Sequence, residues 1–216
     1  MKKVILAAML LLPLSLMAQG NWERPDAGKQ GVKSENKSGQ SDEYQYAKYL
    51  GHVVPEVDGM VVWDKTFTND KSADENYTTM LNFLTAMTEE DCQIKGDNGS
   101  KVSLVNVQEH KIVAQFQEWL VFKSALLSLD QTRFIYTMMA ECFDNKVRVK
   151  IFRISYWYEE NRKGGERFKA EEWITDKYAV NKKGTKLSRI SGKFRRKTVD
   201  RVEEIYNNIG VCLNAK

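Results

Sequence analysis

The stretch TRFIYTMMAECFDNKVRVKIFRISYWY, residues 132–158, decides the fold of this chain. Its first half alternates in a single apolar phase, made up of Phe134, Tyr136, Met138, Ala140 and Cys142. Residues 144–146 (Asp-Asn-Lys) suit a tight hairpin connection, and a second alternating run follows. The apolar phase of this second run shifts between Ile151 and Phe152, which is typical of a β-bulge or a strong twist. The stretch therefore predicts a long antiparallel hairpin with one buried face.

Two amphipathic helices flank this strand-rich region. Ser72 and Glu75 have the spacing of a capping box, and apolar residues then recur every three or four positions as far as Glu90. A second apolar stripe runs from Val199 to Ile209, and Gly210 is placed to end that helix. The pattern predicts helices at 72–90 and 198–209.

Further strand-like runs lie at 58–68, 101–107 and 112–122. The predicted order is β-α-β-β-β-β-α, with an insertion at about 160–192 before the last helix. An architecture that buries both helical stripes is an α+β fold, in which two helices lie on one face of a twisted antiparallel sheet of four to five strands.

The first 20 residues, MKKVILAAMLLLPLSLMAQG, have the three parts of a secretory signal. Two lysines precede an apolar run that is short for a membrane span, and a small-residue cleavage site ends at Ala18. We expect a signal peptide at 1–18 and an exported protein, periplasmic or secreted, with no transmembrane span after cleavage. An uncleaved anchor is the alternative. The polar composition of 19–53 predicts a flexible linker, which leaves 54–212 as a single domain.

The cysteines do not form a recognisable framework. Cys92, Cys142 and Cys212 are odd in number and widely spaced. Three small buried hydrophobic residues are favoured over one disulfide with a leftover thiol. A domain near 160 residues buries roughly 70% of its unfolded surface, so it needs no covalent cross-link.

Two segments resemble a known family. They are VPEVDGMVVWDKTF at 54–67 and KFRRKTVDRVEEIY at 193–206, and the hairpin strands between them fit as well. Together they resemble the secreted bacterial family called domain of unknown function 4468, which has a fold like that of the TATA-binding protein (TBP). The resemblance covers about 54–210 and implies the same β-α-β-β-β-β-α order. It implies no activity, because the family has none assigned.

Catalytic and metal-binding patterns are missing from the sequence. His52 and His110 have no companions at metal-ligand spacing, and no nucleophile or phosphate-loop motif is present. Cys92 follows a helix C-terminus among acidic residues, which disfavours a reactive thiolate. We therefore expect no catalytic residue, no metal and no cofactor, and hence not an enzyme.

Large apolar residues occupy the second face of the predicted sheet, in the phases opposite to the main apolar sets: Trp119, Val121, Ile135, Met139 and Trp157. A wholly solvated face would not carry so many. Either the linker or the insertion covers them, or they form a ligand or partner face, for which we single out Trp119, Ile135, Met139 and Trp157.

Basic residues concentrate before and within the last helix. From Lys182 to Arg201 there are nine basic residues and one acid, Asp200. We expect an exposed patch that meets an anionic envelope surface or partner, formed by Lys193, Arg195, Arg196 and Lys197. The alternative is that these residues pair with the protein's own acids. The signal peptide and the weak link between fold and function argue against nucleic acid.

The sequence thus predicts a non-catalytic secreted or envelope module that binds a partner or ligand. The alternative is a hydrolase of envelope polymers with a site that the sequence does not reveal. Two carboxyl groups converging in one pocket would favour the hydrolase, whereas a pocket lined only by apolar and aromatic groups would favour binding.

Overall fold

The computed structural model describes residues 46–216 except 126–127, 161 and 163–164. The predicted signal peptide and residues 19–45 of the predicted linker lie outside this range. Within these residues the α-helices are α1 (Ala73–Thr88), α2 (Asp176–Ala179) and α3 (Ser191–Leu213), and short 3-10 helices lie at Ala47–Tyr49 and Ala170–Glu172. The strands in the same part of the chain are β1 (Glu56–Val57), β2 (Met60–Val61), β3 (Trp63–Thr68), β4 (Lys101–Asn106), β5 (Lys111–Ala125), β6 (Ser128–Phe143), β7 (Lys146–Tyr158) and β8 (Glu166–Lys169).

Six strands form the main antiparallel sheet, in the order β3-β7-β6-β5-β4, with β8 also paired to β7. The expectation of four to five strands is therefore too low. β7 is long enough to hold β3 along its first half, where Trp63 faces Ile151, and β8 along its second half, where Lys169 faces Ser155. The added strand comes from the 160–192 insertion, which also supplies α2. The predicted strand at 58–68 is divided, because β2 pairs with β1 in a separate ribbon.

The hairpin at 132–158 forms as predicted. Asn145 turns the chain with a φ of 62°, a left-handed value that asparagine tolerates. The phase shift in β7 is a bulge: Ile135 faces Ser155 but Thr137 faces Phe152, so one extra residue stands on β7. Arg153 occupies that position with a φ of 54°. The bulge keeps Ile151 and Ile154 on the same buried face.

Helix α1 begins at the predicted capping box. The Glu75 amide donates to the Ser72 hydroxyl, and the Ser72 amide donates to the Glu75 carboxylate. One turn into the helix, the buried Asn76 side chain donates to the Phe143 carbonyl at the hairpin end. This contact fixes the start of α1 against the turn between β6 and β7.

Helix α3 is longer than predicted at both ends. It starts at Ser191 because Phe194 and Arg195 extend the buried stripe backwards, both with 0% exposure. It also continues through Gly210, which lies against the Phe67 ring. The helix ends instead at Asn214, whose φ of 51° places it in the left-handed C-cap conformation.

One hydrophobic core lies between the sheet and the two long helices, α1 and α3. The segment 46–53, which the sequence assigned to the linker, contributes to it. Tyr49 is 8% exposed and its hydroxyl donates to Asp200 of α3. The linker boundary at residue 53 is therefore wrong for this segment. Among the described helices, none is long and apolar enough to cross a membrane.

Candidate functional site

The sheet face opposite α1 and α3 carries no helix in the described part of the chain, and we call it the open face. A row of tryptophan and arginine side chains crosses four strands there. Trp119 of β5 lies across from Arg133 of β6, and Arg133 lies across from Trp157 of β7. Arg167 of β8 continues the row beside Trp157. We call these four residues the Trp–Arg row.

Cation–π contacts connect the members of the Trp–Arg row. The Arg133 guanidinium carbon lies 5.7 Å from the Trp119 ring centroid and 5.1 Å from that of Trp157. The Arg167 guanidinium carbon lies 4.1 Å from the Trp157 centroid. Each such contact contributes about 0.5–1 kcal/mol at an exposed site. Trp157 is thus contacted by cations from both neighbouring strands.

Polar partners fix Arg133 at the centre of the row. Its Nη2 donates to Glu160 Oε1 at 2.8 Å, and its Nε lies 2.7 Å from Glu160 Oε2. Its Nη1 donates to Gln117 Oε1 at 3.1 Å. The two charged side chains are 19% and 11% exposed, so solvent screens this ion pair only in part. These contacts hold the Arg133 side chain in one orientation within the row.

The four residues singled out as a ligand or partner face, Trp119, Ile135, Met139 and Trp157, are half-buried on the open face. The insertion covers Trp157 in part, because Arg167 lies over its ring and Gly165 approaches its indole nitrogen. Further half-exposed or exposed apolar groups share the face, among them Leu104 with 51% exposure. The result is an apolar band beside the Trp–Arg row.

Unpaired positive charge lies at the β8 edge of the open face. Two acids of the open face are held by neighbouring cations, in the pairs Asp64–Arg148 and Glu141–Lys111. Arg148 also lowers the pKa of Asp64 by hydrogen bonding to its carboxylate. Arg167 and Lys169 have no acidic side chain within ion-pair distance among the described residues, so the face is net positive near the row.

A cavity of about 340 Å³ lies at one corner of the open face. It is lined by Asp64, Thr66, Phe143, Lys146 and Arg148. Asp64 is the one acid in this lining, and its two carboxylate oxygens accept hydrogen bonds from Nε and Nη2 of Arg148. The cavity therefore lacks the two converging carboxyl groups that glycoside hydrolysis needs.

The predicted exposed patch at 193–197 is wrong for Arg195. This side chain is 0% exposed, and its guanidinium donates to the carbonyls of Tyr49 and Ile174 and to Asp176. Lys193 is also held internally, because its ammonium donates to Asp130 at 2.8 Å. Arg196 and Lys197 are half-buried on α3. Internal pairing, the alternative reading of this run, accounts for Lys193 and Arg195.

A buried charged cluster between β5 and α3 was not expected. Arg201 donates through Nε to Glu118 Oε1 at 2.9 Å and through Nη2 to Glu90 at 2.7 Å. Gln93 also donates to Glu118, at 2.6 Å. Glu118 lies in the buried phase of β5, between Phe116 and Leu120. A charged residue in this otherwise apolar phase was the feature of the sequence from which the cluster could have been predicted. We call Glu90, Cys92, Gln93, Glu118 and Arg201 the buried cluster.

Three of these residues, Glu90, Cys92 and Glu118, offer possible metal-ligand atoms within 4.8 Å of one another. The Arg201 guanidinium already contacts both carboxylates, so it supplies the positive charge that a metal ion would bring. Burial and the nearby Glu118 charge raise the pKa of the Cys92 thiol to about 12. The thiol is thus protonated at neutral pH, and the cluster is suited to holding the fold together rather than to nucleophilic chemistry.

The histidines lie apart from this cluster. His52 is exposed and its Nδ1 lies 3.2 Å from Asp176, whereas His110 contacts Asp74 at 2.7 Å. Neither belongs to the group of possible metal ligands found among the described residues.

The fold and the open face define a class of protein. A long antiparallel sheet with two helices packed on one side is the α+β architecture of TBP-like domains, and residues 64–157 match the profile described as "Domain of unknown function (DUF4468) with TBP-like fold". The chain belongs to the DUF4468 family.

One solved structure shows this family assignment, and a second shares the fold. A DUF4468 family protein from Bacteroides ovatus is 37% identical, with a TM-score of 0.72, and the match covers 79% of this chain and 96% of that one. A TBP-like protein from Parabacteroides distasonis is 22% identical, with a TM-score of 0.61, over 76% of this chain and 99% of that one. The second likeness concerns the fold alone. No curated protein matches the chain.

Proposed function

We propose that this domain is a non-catalytic module of the bacterial cell envelope that binds an acidic protein partner through its open face. The observation that carries the proposal is the Trp–Arg row, an ordered set of aromatic and cationic side chains on a face without helices. Tryptophan and arginine are among the residue types enriched at the energetic centres of protein interfaces. Export rests on the signal-like N-terminus of the sequence.

The charge of the face favours an acidic partner. Arg167 and Lys169 stand next to the apolar band without an acidic partner in the described residues, and Arg133 is already neutralised by Glu160. A partner that carries carboxylates would pair with Arg167 and cover the band around Ile135 and Met139. Complementary charge of this kind directs association and excludes wrong partners.

A hydrolase remains the competing proposal, and the surroundings of Glu90 and Glu118, whose carboxylates lie within 4.8 Å of each other, argue against it. Glu90 and Glu118 converge on Arg201, and the Glu118 side chain is 1% exposed. Neither carboxylate is placed to protonate a glycosidic oxygen or to activate water, because both are already bound to a guanidinium.

Site-specific photo-crosslinking in the producing cells tests the binding role. A photoreactive residue at Ile135, on the open face, should trap one discrete protein. The same residue at Val211, which is 77% exposed on α3, should not. Arg167→Glu should reduce the Ile135 crosslink at least tenfold, since it places a negative charge before an acidic partner. Equal crosslinking at both positions, or a product of two copies of this chain, would contradict the proposal.

A further inference from the structure

A second basic surface lies in the insertion, just before α3. Residues 177–190 include five basic residues and no acid, namely Lys177, Lys182, Lys183, Lys186 and Arg189. All five are exposed. None forms an ion pair within the part of the chain that the structure describes, in contrast to Lys193, Arg195 and Arg201 of α3. We call residues 177–190 the basic loop.

The basic loop has a defined conformation. The Asn181 side-chain oxygen accepts hydrogen bonds from the amides of Thr185 and Lys186, at 2.9 and 3.2 Å. The backbone amide of Asn181 donates to the backbone carbonyl of Lys186 at 2.8 Å. Gly184 takes the left-handed φ of 71° that this tight turn requires. The lysines at the tip are thus presented from a closed turn rather than from an extended chain.

Contacts at its base attach the loop to the domain. Ala179 is 0% exposed, and Val180 forms a β-bridge with Leu187. The Ser191 hydroxyl at the start of α3 donates to the Tyr178 carbonyl at 2.8 Å. Because both ends of the loop are held, the backbone that carries the five cations has a defined place on the domain.

Apolar groups lie among these cations. Tyr178 is 43% exposed and Ile190 is 58% exposed, one at each end of the loop. The Lys177 ammonium lies 5.0 Å from the Tyr178 ring centroid. Aromatic and aliphatic side chains mixed with lysine and arginine are typical of surfaces that rest in the interface of an anionic bilayer.

We propose that the basic loop docks this domain onto the surface of an anionic phospholipid bilayer. Lys182, Lys183, Lys186 and Arg189 approach the lipid phosphates, while Tyr178 and Ile190 enter the headgroup region. Each cation near such a surface raises binding roughly fivefold, so four of them together account for a factor of several hundred. This surface uses different residues from the open face, and the proposal does not depend on the partner-binding role.

Vesicle co-sedimentation of the protein, purified from cells in its mature form, tests the proposal. The probe is phosphatidylcholine vesicles with or without about a third of phosphatidylglycerol, at low and near-physiological salt. The wild type should bind only the anionic vesicles, and more weakly as salt increases. A variant with Lys182→Gln, Lys183→Gln, Lys186→Gln and Arg189→Gln should lose at least 100-fold in binding while its melting temperature stays unchanged.

A charge-matched control distinguishes vesicle binding by the basic loop from vesicle binding that depends only on the net charge of the protein. Lys65→Gln, Lys101→Gln, Lys123→Gln and Lys146→Gln remove four other exposed cations. This control should lose no more than about fivefold. Ile190→Asn should weaken binding severalfold without changing the net charge. Equal losses in the two quadruple variants, binding to uncharged vesicles, or binding to polyglutamate but not to vesicles would each overturn the proposal.

Discussion

Arg201 of α3 and Glu118 of β5 form a two-point ion pair in the interior, with Nε 2.9 Å from Oε1 and Nη2 3.0 Å from Oε2. The two side chains are 3% and 1% exposed. Burial is the largest single influence on the pKa of the Arg201 guanidinium and lowers it, but the neighbouring groups, with Glu118 first among them and Glu90 also contributing, together raise this pKa. The pair fixes how far along β5 the last helix lies.

Removing one partner of this pair should destabilise the fold strongly. Arg201→Met leaves Glu118 buried without its cation, and we expect a loss of about 3–5 kcal/mol in the free energy of unfolding. The double variant Arg201→Met/Glu118→Leu should recover part of this loss, because no unpaired charge remains. Urea unfolding measures both. Arg162→Gln, at an exposed pair with Glu159, is the control and should cost at most about 1 kcal/mol. Additive losses in the double variant would contradict this account.

The two helical stripes should each be essential to the core. Leu84 of α1 is 0% exposed and Ile205 of α3 is 1% exposed. We expect Leu84→Ala and Ile205→Ala each to lower the free energy of unfolding by about 2–5 kcal/mol, through lost burial and a residual cavity. Val211→Ala, at a 77% exposed position of α3, should change it by less than about 0.5 kcal/mol. Neutral effects at Leu84 and Ile205 would show that the stripes do not face the sheet.

The bulge in β7 should tolerate glycine but not a β-branched residue. Arg153 has a φ of 54°, a region that costs a residue with a Cβ about 1–2 kcal/mol. Arg153→Gly relieves this strain but gives more freedom to the unfolded chain, so we expect a change within about 1 kcal/mol. Arg153→Val should lower the melting temperature clearly. Ser155→Val, at a regular position of the same strand, should not, and a similar loss at both positions would argue against the bulge.

Two thiols should make stability depend on alkaline pH. Burial raises the pKa of Cys142 to about 12, and burial with the Glu118 charge does the same for Cys92. The usual thiol value is 9.0, so the unfolded chain loses these protons first as pH rises. Their contribution to stability is full below about pH 9 and declines between about 9 and 12.

Urea unfolding at pH 8 and pH 10.5 measures this decline. Cys92→Ala/Cys142→Ala should show a smaller fall in the free energy of unfolding between the two pH values than the wild type shows. In the wild type, iodoacetamide should react with Cys92 and Cys142 far more slowly at pH 8 in the folded protein than in urea. An unchanged slope in the double variant would contradict the raised pKa values.

The sequence predicted local features because neighbours in the chain determine them. The capping box at Ser72, the hairpin turn at Asn145 and the phase shift before Arg153 all depend on residues within four positions of one another. The side on which Trp119 and Trp157 lie also follows from the alternation of a strand. These features were therefore open to prediction without knowledge of the packing.

The surface patch and the buried cluster depended on residues far apart in the chain. Arg195 and Arg196 are neighbours of the same charge, yet Arg195 is buried because Tyr49, Ile174 and Asp176 converge on it from three other segments. Arg201 meets Glu118 across 83 positions. A periodic pattern states which face of an element is apolar, but it does not state which distant polar group will lie opposite a charge on that face.

By itself, the sequence determined the order of the long strands and the two long helices, the start of α1, the main hairpin and the phase of the long strands, because these follow from side-chain periodicity and local hydrogen bonding. Tertiary structure alone decided the sixth strand, the length of α3 and which cations are buried. β8 forms because the second half of β7 has a free edge for it to pair with. The first turns of α3 can be buried because Arg195 and Arg201 find polar partners there. A buried charge is stable only where oppositely charged or polar atoms meet it within hydrogen-bonding distance, and that meeting exists only in three dimensions.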